Sequence, residues 1–139
     1  MGHMEIVEVL LEYHADVHGG CTYRTPLVFA ADNPQIRTYL VDHGAKETIF
    51  TAAAEGDTAK ISAYVNKDSS LVHLTDEEDM TPLFFSAGRH DLDGMTFFLE
   101  AGADPNAVAT GTVSYGITPI HAAAEGFLKR ALEMPFHCW

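Results

Sequence analysis

Residues 81–106 read TPLFFSAGRHDLDGMTFFLEAGADPN, from Thr81 to Asn106, and this stretch decides the fold. Thr81 is a residue type that caps helix N-termini through its hydroxyl. Pro82 suits the first helical position, where its missing N–H costs nothing. Leu83 begins an apolar stripe, and Ser86 and Ala87 are small enough for a neighbouring helix to come close. Leu92, Met95, Phe98 and Leu99 then recur at helical spacing, so they are expected to form the buried face of a second helix. Gly102 offers the left-handed conformation that ends a helix. Asp104-Pro105-Asn106 is turn chemistry. The stretch therefore predicts a helix, a turn, a second helix and a loop.

Copies of it lie on both sides. Thr25-Pro26-Leu27 and Thr118-Pro119-Ile120 repeat the start, followed by Ala30-Ala31 and by Ala122-Ala123-Ala124. A blurred copy runs from Thr48 through Ala52-Ala53-Ala54 to Gly56, with Glu47 where the others carry Thr. The second half recurs as MEIVEVLLEYHADV from Met4, QIRTYLVDHGAK from Gln35 and AKISAYVNKDSS from Ala59.

Thr-Pro-Leu, the alanine pair and Gly-Ala-Asp, recurring near a period of ~33 residues, resemble the ankyrin repeat. The resemblance runs from Gly2 to about Gly126. It implies an all-α ankyrin-repeat solenoid of stacked helix-turn-helix units, roughly four to five in number with incomplete ends. The units fall at about residues 2–20 (partial), 21–46, 47–76, 77–107 and 108–139 (partial or a divergent cap), in one domain spanning 1–139.

The departures from the pattern carry expectations of their own. His14 takes the place of the helix-ending glycine in the first unit, which lacks an inner helix, so Ile6, Val9 and Leu10 are expected to be only partly covered. The chain thus reads either as an excerpt of a longer array or as one with an improvised first helix. Between Gly44 and Thr48 no room remains for a projecting loop, so a notch is expected in the surface there. The loop from Ala107 to Ile117 is long for the pattern, and long loops are disproportionately functional. The tail FLKRALEMPFHCW, after Gly126, fits no repeat position beyond a short helical face.

Bulk properties narrow the role. A length of 139 residues with 47% hydrophobic content suits one globular domain. No apolar run reaches the ~18 residues of a membrane span, and the acidic N-terminus is unlike a secretory signal. Two cysteines, Cys21 and Cys138, supply no disulfide framework and point to a reducing compartment, so a cytoplasmic location is expected. A net charge of −12 opposes nucleic-acid phosphates and leans weakly towards a basic partner.

No phosphate loop, zinc motif or nucleophile elbow occurs. Eight histidines and the acidic run Asp76-Glu77-Glu78-Asp79 are the only hints of a metal or small-molecule enzyme. His14 and His18 lack a third ligand, and Asp76 to Asp79 lack the alternating spacing of a calcium loop. The run is expected to be a solvated turn ahead of a helix N-terminus, or a contact for a basic patch. No metal, cofactor or catalytic residue is expected.

By resemblance, binding falls on loop tips and on the concave ends of the inner helices. The tips are Tyr23 and Arg24, then Glu77, Glu78 and Met80, then Ser114, Tyr115 and Ile117. The helix ends are Asp32 and Asn33, Ala54 and Glu55, Gly88 and Arg89, and Glu125. The expected function is a non-catalytic protein-binding module whose partner is a protein with a basic patch, with no nucleic acid and no membrane. Weak self-association through the incomplete first unit is also expected. The alternative is a targeting piece of a larger enzyme or effector whose chemistry lies in another domain.

Overall fold

A computed structural model of the chain describes residues 4–112 and 115–125. The described residues are helical, with no strand among them. The helices are α1 (Met4–Glu12), α2 (Pro26–Phe29), α3 (Pro34–Asp42), α4 (Ile49–Glu55), α5 (Thr58–Lys67), α6 (Pro82–Arg89), α7 (Leu92–Glu100) and α8 (Pro119–Glu125). A short 3-10 helix, Ser69–His73, follows α5.

Contacts sort these helices into two rows. In the inner row α2 packs on α4, α4 on α6, and α6 on α8. In the outer row α1 packs on α3, and α5 on α7. Each inner helix also pairs with the outer helix that follows it: α2 with α3, α4 with α5, α6 with α7. The inner row closes because its facing residues are small. Ala53, Ala54, Ser86, Ala87 and Ala122 are each 0% exposed. Phe50, Phe84, Phe85 and Phe98 are the largest side chains of the main buried core. Removing a buried phenylalanine from such a site costs roughly 3–5 kcal/mol.

Local signals behave unevenly. Pro26, Pro34, Pro82 and Pro119 all start helices, as the fixed φ of proline favours. Thr25 and Thr81 have the extended backbone of an N-cap, yet neither hydroxyl makes the capping bond. Thr48 makes it instead: its hydroxyl accepts from the Thr51 N–H at 3.4 Å, while the Thr51 hydroxyl accepts from the Thr48 N–H at 2.8 Å. Asn33, Asp57 and Asp91 cap the outer helices α3, α5 and α7 in the same way. Gly102 ends α7 at φ 95°, as its position in the repeat predicts. His14 sits at φ 65° in the corresponding place, strained for a residue with a side chain.

The expected buried stripe of α7 is corrected in part. Phe98 is fully buried and Met95 half-buried, but Leu92 is 74% exposed and Leu99 faces solvent. Leu92 is the first residue of its helix. In α1 no residue is buried, and Ile6, Val9 and Leu10 are all more than half exposed. Its inner face, Val7 and Leu11, rests on a separate small cluster of Leu27, Ala30, Leu40 and Ala45. Cys21 is buried and disulfide-bonded, against the expectation of reduced thiols.

Candidate partner-binding surface

The acidic run is the feature that the sequence misplaces most. Only half of it is a solvated turn: Glu77 and Asp79 are exposed, but Asp76 and Glu78 are buried. The Asp76 carboxylate is buried and accepts from the N–H groups of Glu78 at 2.9 Å and Met80 at 3.0 Å. Its other oxygen meets Arg24 Nη1 at 3.1 Å, in an ion pair whose side chains are 3% and 0% exposed. Burial pushes the Asp76 carboxyl above its ordinary range, and the Arg24 charge and the two N–H donors pull it back only in part. Glu77 reaches the same loop from outside. Its carboxylate accepts from three successive backbone N–H groups, those of Thr22 at 2.7 Å, Tyr23 at 2.9 Å and Arg24 at 3.1 Å.

The next two residues face the other way. The Glu78 carbonyl accepts from the Gly111 N–H at 3.1 Å, and the Thr110 hydroxyl donates to Asp79. A side chain at position 111 would meet the Glu78 Cα at 2.6 Å, so only glycine lets the two loops lie so close. Three loops, before α2, α6 and α8, are thereby stitched into one edge. Glu77 spans from the loop before α6 to the loop before α2. Beyond the stitch the long loop folds back on itself: Ala109 N–H donates to the Ile117 carbonyl at 2.8 Å, and Gly116 N–H to the Ala109 carbonyl at 2.9 Å. Tyr115, next to the Gly116 that makes this bond, is 81% exposed.

The opposite ends of the inner helices are also tied together. Arg89 Nη1 donates to the Ala54 carbonyl at the end of α4 at 2.7 Å and meets Asp32 Oδ1 at 2.9 Å. A guanidinium there satisfies an orphan carbonyl and complements the negative end of the helix dipole. His90, left-handed at φ 61°, places Nε2 2.8 Å from the Ala123 carbonyl. On the outer side Arg37 Nη2 lies 2.8 Å from both Glu47 and Glu55, and Lys60 Nζ shares the same carboxylates at 2.8 and 3.4 Å. Their charges hold the Lys60 ammonium above its ordinary value, the hydrogen bond to Glu47 chief among them.

The residues expected to meet a partner thus separate into two groups. Arg24, Glu78 and Met80 are inside, at 5%, 7% and 1% exposure, because the stitch draws their loops inward. They are corrected to structural residues. Tyr23 is half-buried, its ring 4.8 Å from that of Phe50, and Ile117 is half-buried against the core. Asn33 caps α3 through a 3.1 Å bond from the Ile36 N–H, and Glu55 belongs to the Arg37 network. Arg89 is half-buried and engaged within the chain. Asp32, Glu77 and Tyr115 remain on the surface, with the Asp32 side chain 86% exposed. Val108 and Ile120, which sequence reasoning passed over, are 51% and 73% exposed. The repeat pattern gave Ile120 no solvent signal. Ser114 and the Glu125 side chain lie outside the described residues, as does the tail from Gly126.

Among the described residues no three His, Cys, Asp or Glu side chains gather to hold a metal ion. No helix among them is long and apolar enough to cross a membrane. The chain matches no protein-family model. Over 62 residues, 45% of this chain, it is 32% identical to a human protein with ankyrin repeats, DNA-binding protein RFXANK. The matched stretch is 24% of that relative's length.

Proposed function

We propose that this chain is an ankyrin-type array of stacked helical hairpins that works as a non-catalytic protein-binding module. The two rows of paired helices, the repeated Thr-Pro starts and the partial likeness to a protein with ankyrin repeats support that reading. The observation that carries the binding role is the stitched edge. Loops from three hairpins are locked to one another by Asp76, Glu77, Glu78 and Asp79, so they present one preformed surface. A rigid surface loses less entropy on binding than three mobile loops would.

The contact residues at the stitched edge are Tyr115, with exposed Val108 and Ile120 supplying apolar area and Glu77 supplying negative charge, while Asp32 adds negative charge at the opposite ends of the inner helices. An exposed tyrosine is a favoured anchor at protein interfaces. The acids steer a basic partner and set its on-rate more than its affinity. The matched relative is named for DNA binding. A net charge of −12 on this chain opposes a phosphate backbone, so we place the partner among proteins.

A photo-crosslinking residue at position 115, compared with one at exposed Ala63 on α5, tests the reading in cells that express the protein. Capture of the same specific proteins from position 115 and not from position 63 is expected. Equal capture from both positions would remove the stitched edge as the binding surface.

A further inference from the structure

Among the described residues α1 is an outer-row helix with no inner helix before it. The other outer helices α3, α5 and α7 each lie against an inner partner, α2, α4 or α6. Beside α1 lies instead an apolar groove of about 760 Å³. Val7, Leu10 and Leu11 of α1 line it, together with Phe29 of α2 and Ile36 of α3. We propose that this groove docks a basic amphipathic helix of a partner protein, which takes the inner position beside α1. The inference stands without the stitched edge and Tyr115.

The shape selects a helix. α1 runs for nine residues, about 14 Å, which a partner helix of about three turns spans. The described residues hold no strand, so they offer no sheet edge to an extended peptide. A helix satisfies its own backbone groups and presents apolar side chains at i, i+3, i+4 and i+7 to an apolar lining.

The charges select a basic helix. Asp16 and Asp32 stand in the lining. Asp32 already meets Arg89 at 2.9 Å, so Asp16 carries most of the preference. The Asp16 oxygens accept from the His18 and Gly20 N–H groups at 2.8 and 3.2 Å, which orients the carboxylate and leaves its charge. Arg24, the one cation among the described lining residues, is paired with Asp76. A second copy of this chain fits less well. Its own α1, MEIVEVLLE, brings three glutamates and neither lysine nor arginine, and two chains of net charge −12 repel.

Fluorescence anisotropy of a labelled peptide with the full chain tests the proposal. The probe has about sixteen residues, long enough to form a helix alone, with leucines at the four spacings above and lysines elsewhere. Its counterpart carries glutamates in place of the lysines. The lysine peptide should bind at one site and the glutamate peptide should not. Leu10→Asp places a charge in the lining and should weaken binding at least about tenfold. Val9→Asp adds the same charge at a similar exposure, 51% against 54%, but outside the lining, and should stay within about twofold of the parent. Asp16→Asn should weaken binding about two- to fivefold, whereas Asp93→Asn, on α7, should not. This second pair decides the matter where Leu10→Asp loses its helical circular dichroism.

Light scattering should give a monomer. Equal binding of the two peptides, or binding of neither, would overturn the proposal. Equal weakening within either pair of variants would do the same. A dimer that Leu10→Asp dissociates would overturn it in favour of a second copy on this face.

Discussion

Arg24 and Asp76, 52 positions apart in the sequence, meet at 3.1 Å in the dry centre of the loop edge. Removing one member of such a pair strands the other, at a cost of about 3–5 kcal/mol. Arg24→Met and Asp76→Asn should each lower stability by an amount in that range in urea titrations. The double variant should cost clearly less than the two single losses together. Additive losses would show that the pair is not coupled.

The two kinds of threonine at helix starts should respond in opposite directions. Thr48→Val removes a reciprocal cap and should cost about 0.5–2 kcal/mol. Thr81→Val replaces a buried hydroxyl that lacks a hydrogen-bond partner, so it should be neutral or raise stability by up to about 1 kcal/mol. Thermal melts of both variants check this, and a loss at Thr81 as large as that at Thr48 would contradict it.

Met80 and Tyr115, both expected at loop tips from the sequence, should behave as a core and a surface residue. Met80→Ala should cost about 2–5 kcal/mol because the side chain is 1% exposed. Tyr115→Ala should stay within about 0.5 kcal/mol of the parent and weaken only partner capture. Matched denaturation curves for the two would refute the assignment.

Lys60 gives a pH signature. Its folded pKa lies above the ordinary 10.5, so its contribution is complete below 10.5 and fades as pH rises through the folded value. The parent should lose stability in that alkaline window relative to Lys60→Met. The side chain is 36% exposed, so the difference should also shrink with added salt. Parallel stability profiles for the two proteins across this window would remove Lys60 from the balance.

What the sequence made legible follows the range of the forces involved. The Thr-Pro starts, the alanine runs and Gly102 are local signals, and the helices begin, pack and end where those residues place them. The stripe of α7 is periodic, but periodicity gives a helix end no neighbour, so Leu92 falls outside the buried face that its spacing predicts. The acidic run is a different case. A row of carboxylates in a turn reads as solvated until its distant partners are known. Arg24 and the N–H groups of residues 22–24 lie more than fifty positions upstream and carry no mark of the pairing. Loop-tip residues such as Met80 carry no local sign of burial, because nothing local says that one loop will be drawn under another.

The absence of any buried residue in α1, against the fully enclosed Ala53, Ala54, Ile61 and Phe98 further along, gives the molecule a gradient of local cooperativity. Amides of Val9, Leu10 and Leu11 should exchange with deuterium by frequent partial opening, orders of magnitude ahead of those in α4 and α6. α1 is therefore expected to be the first segment to open.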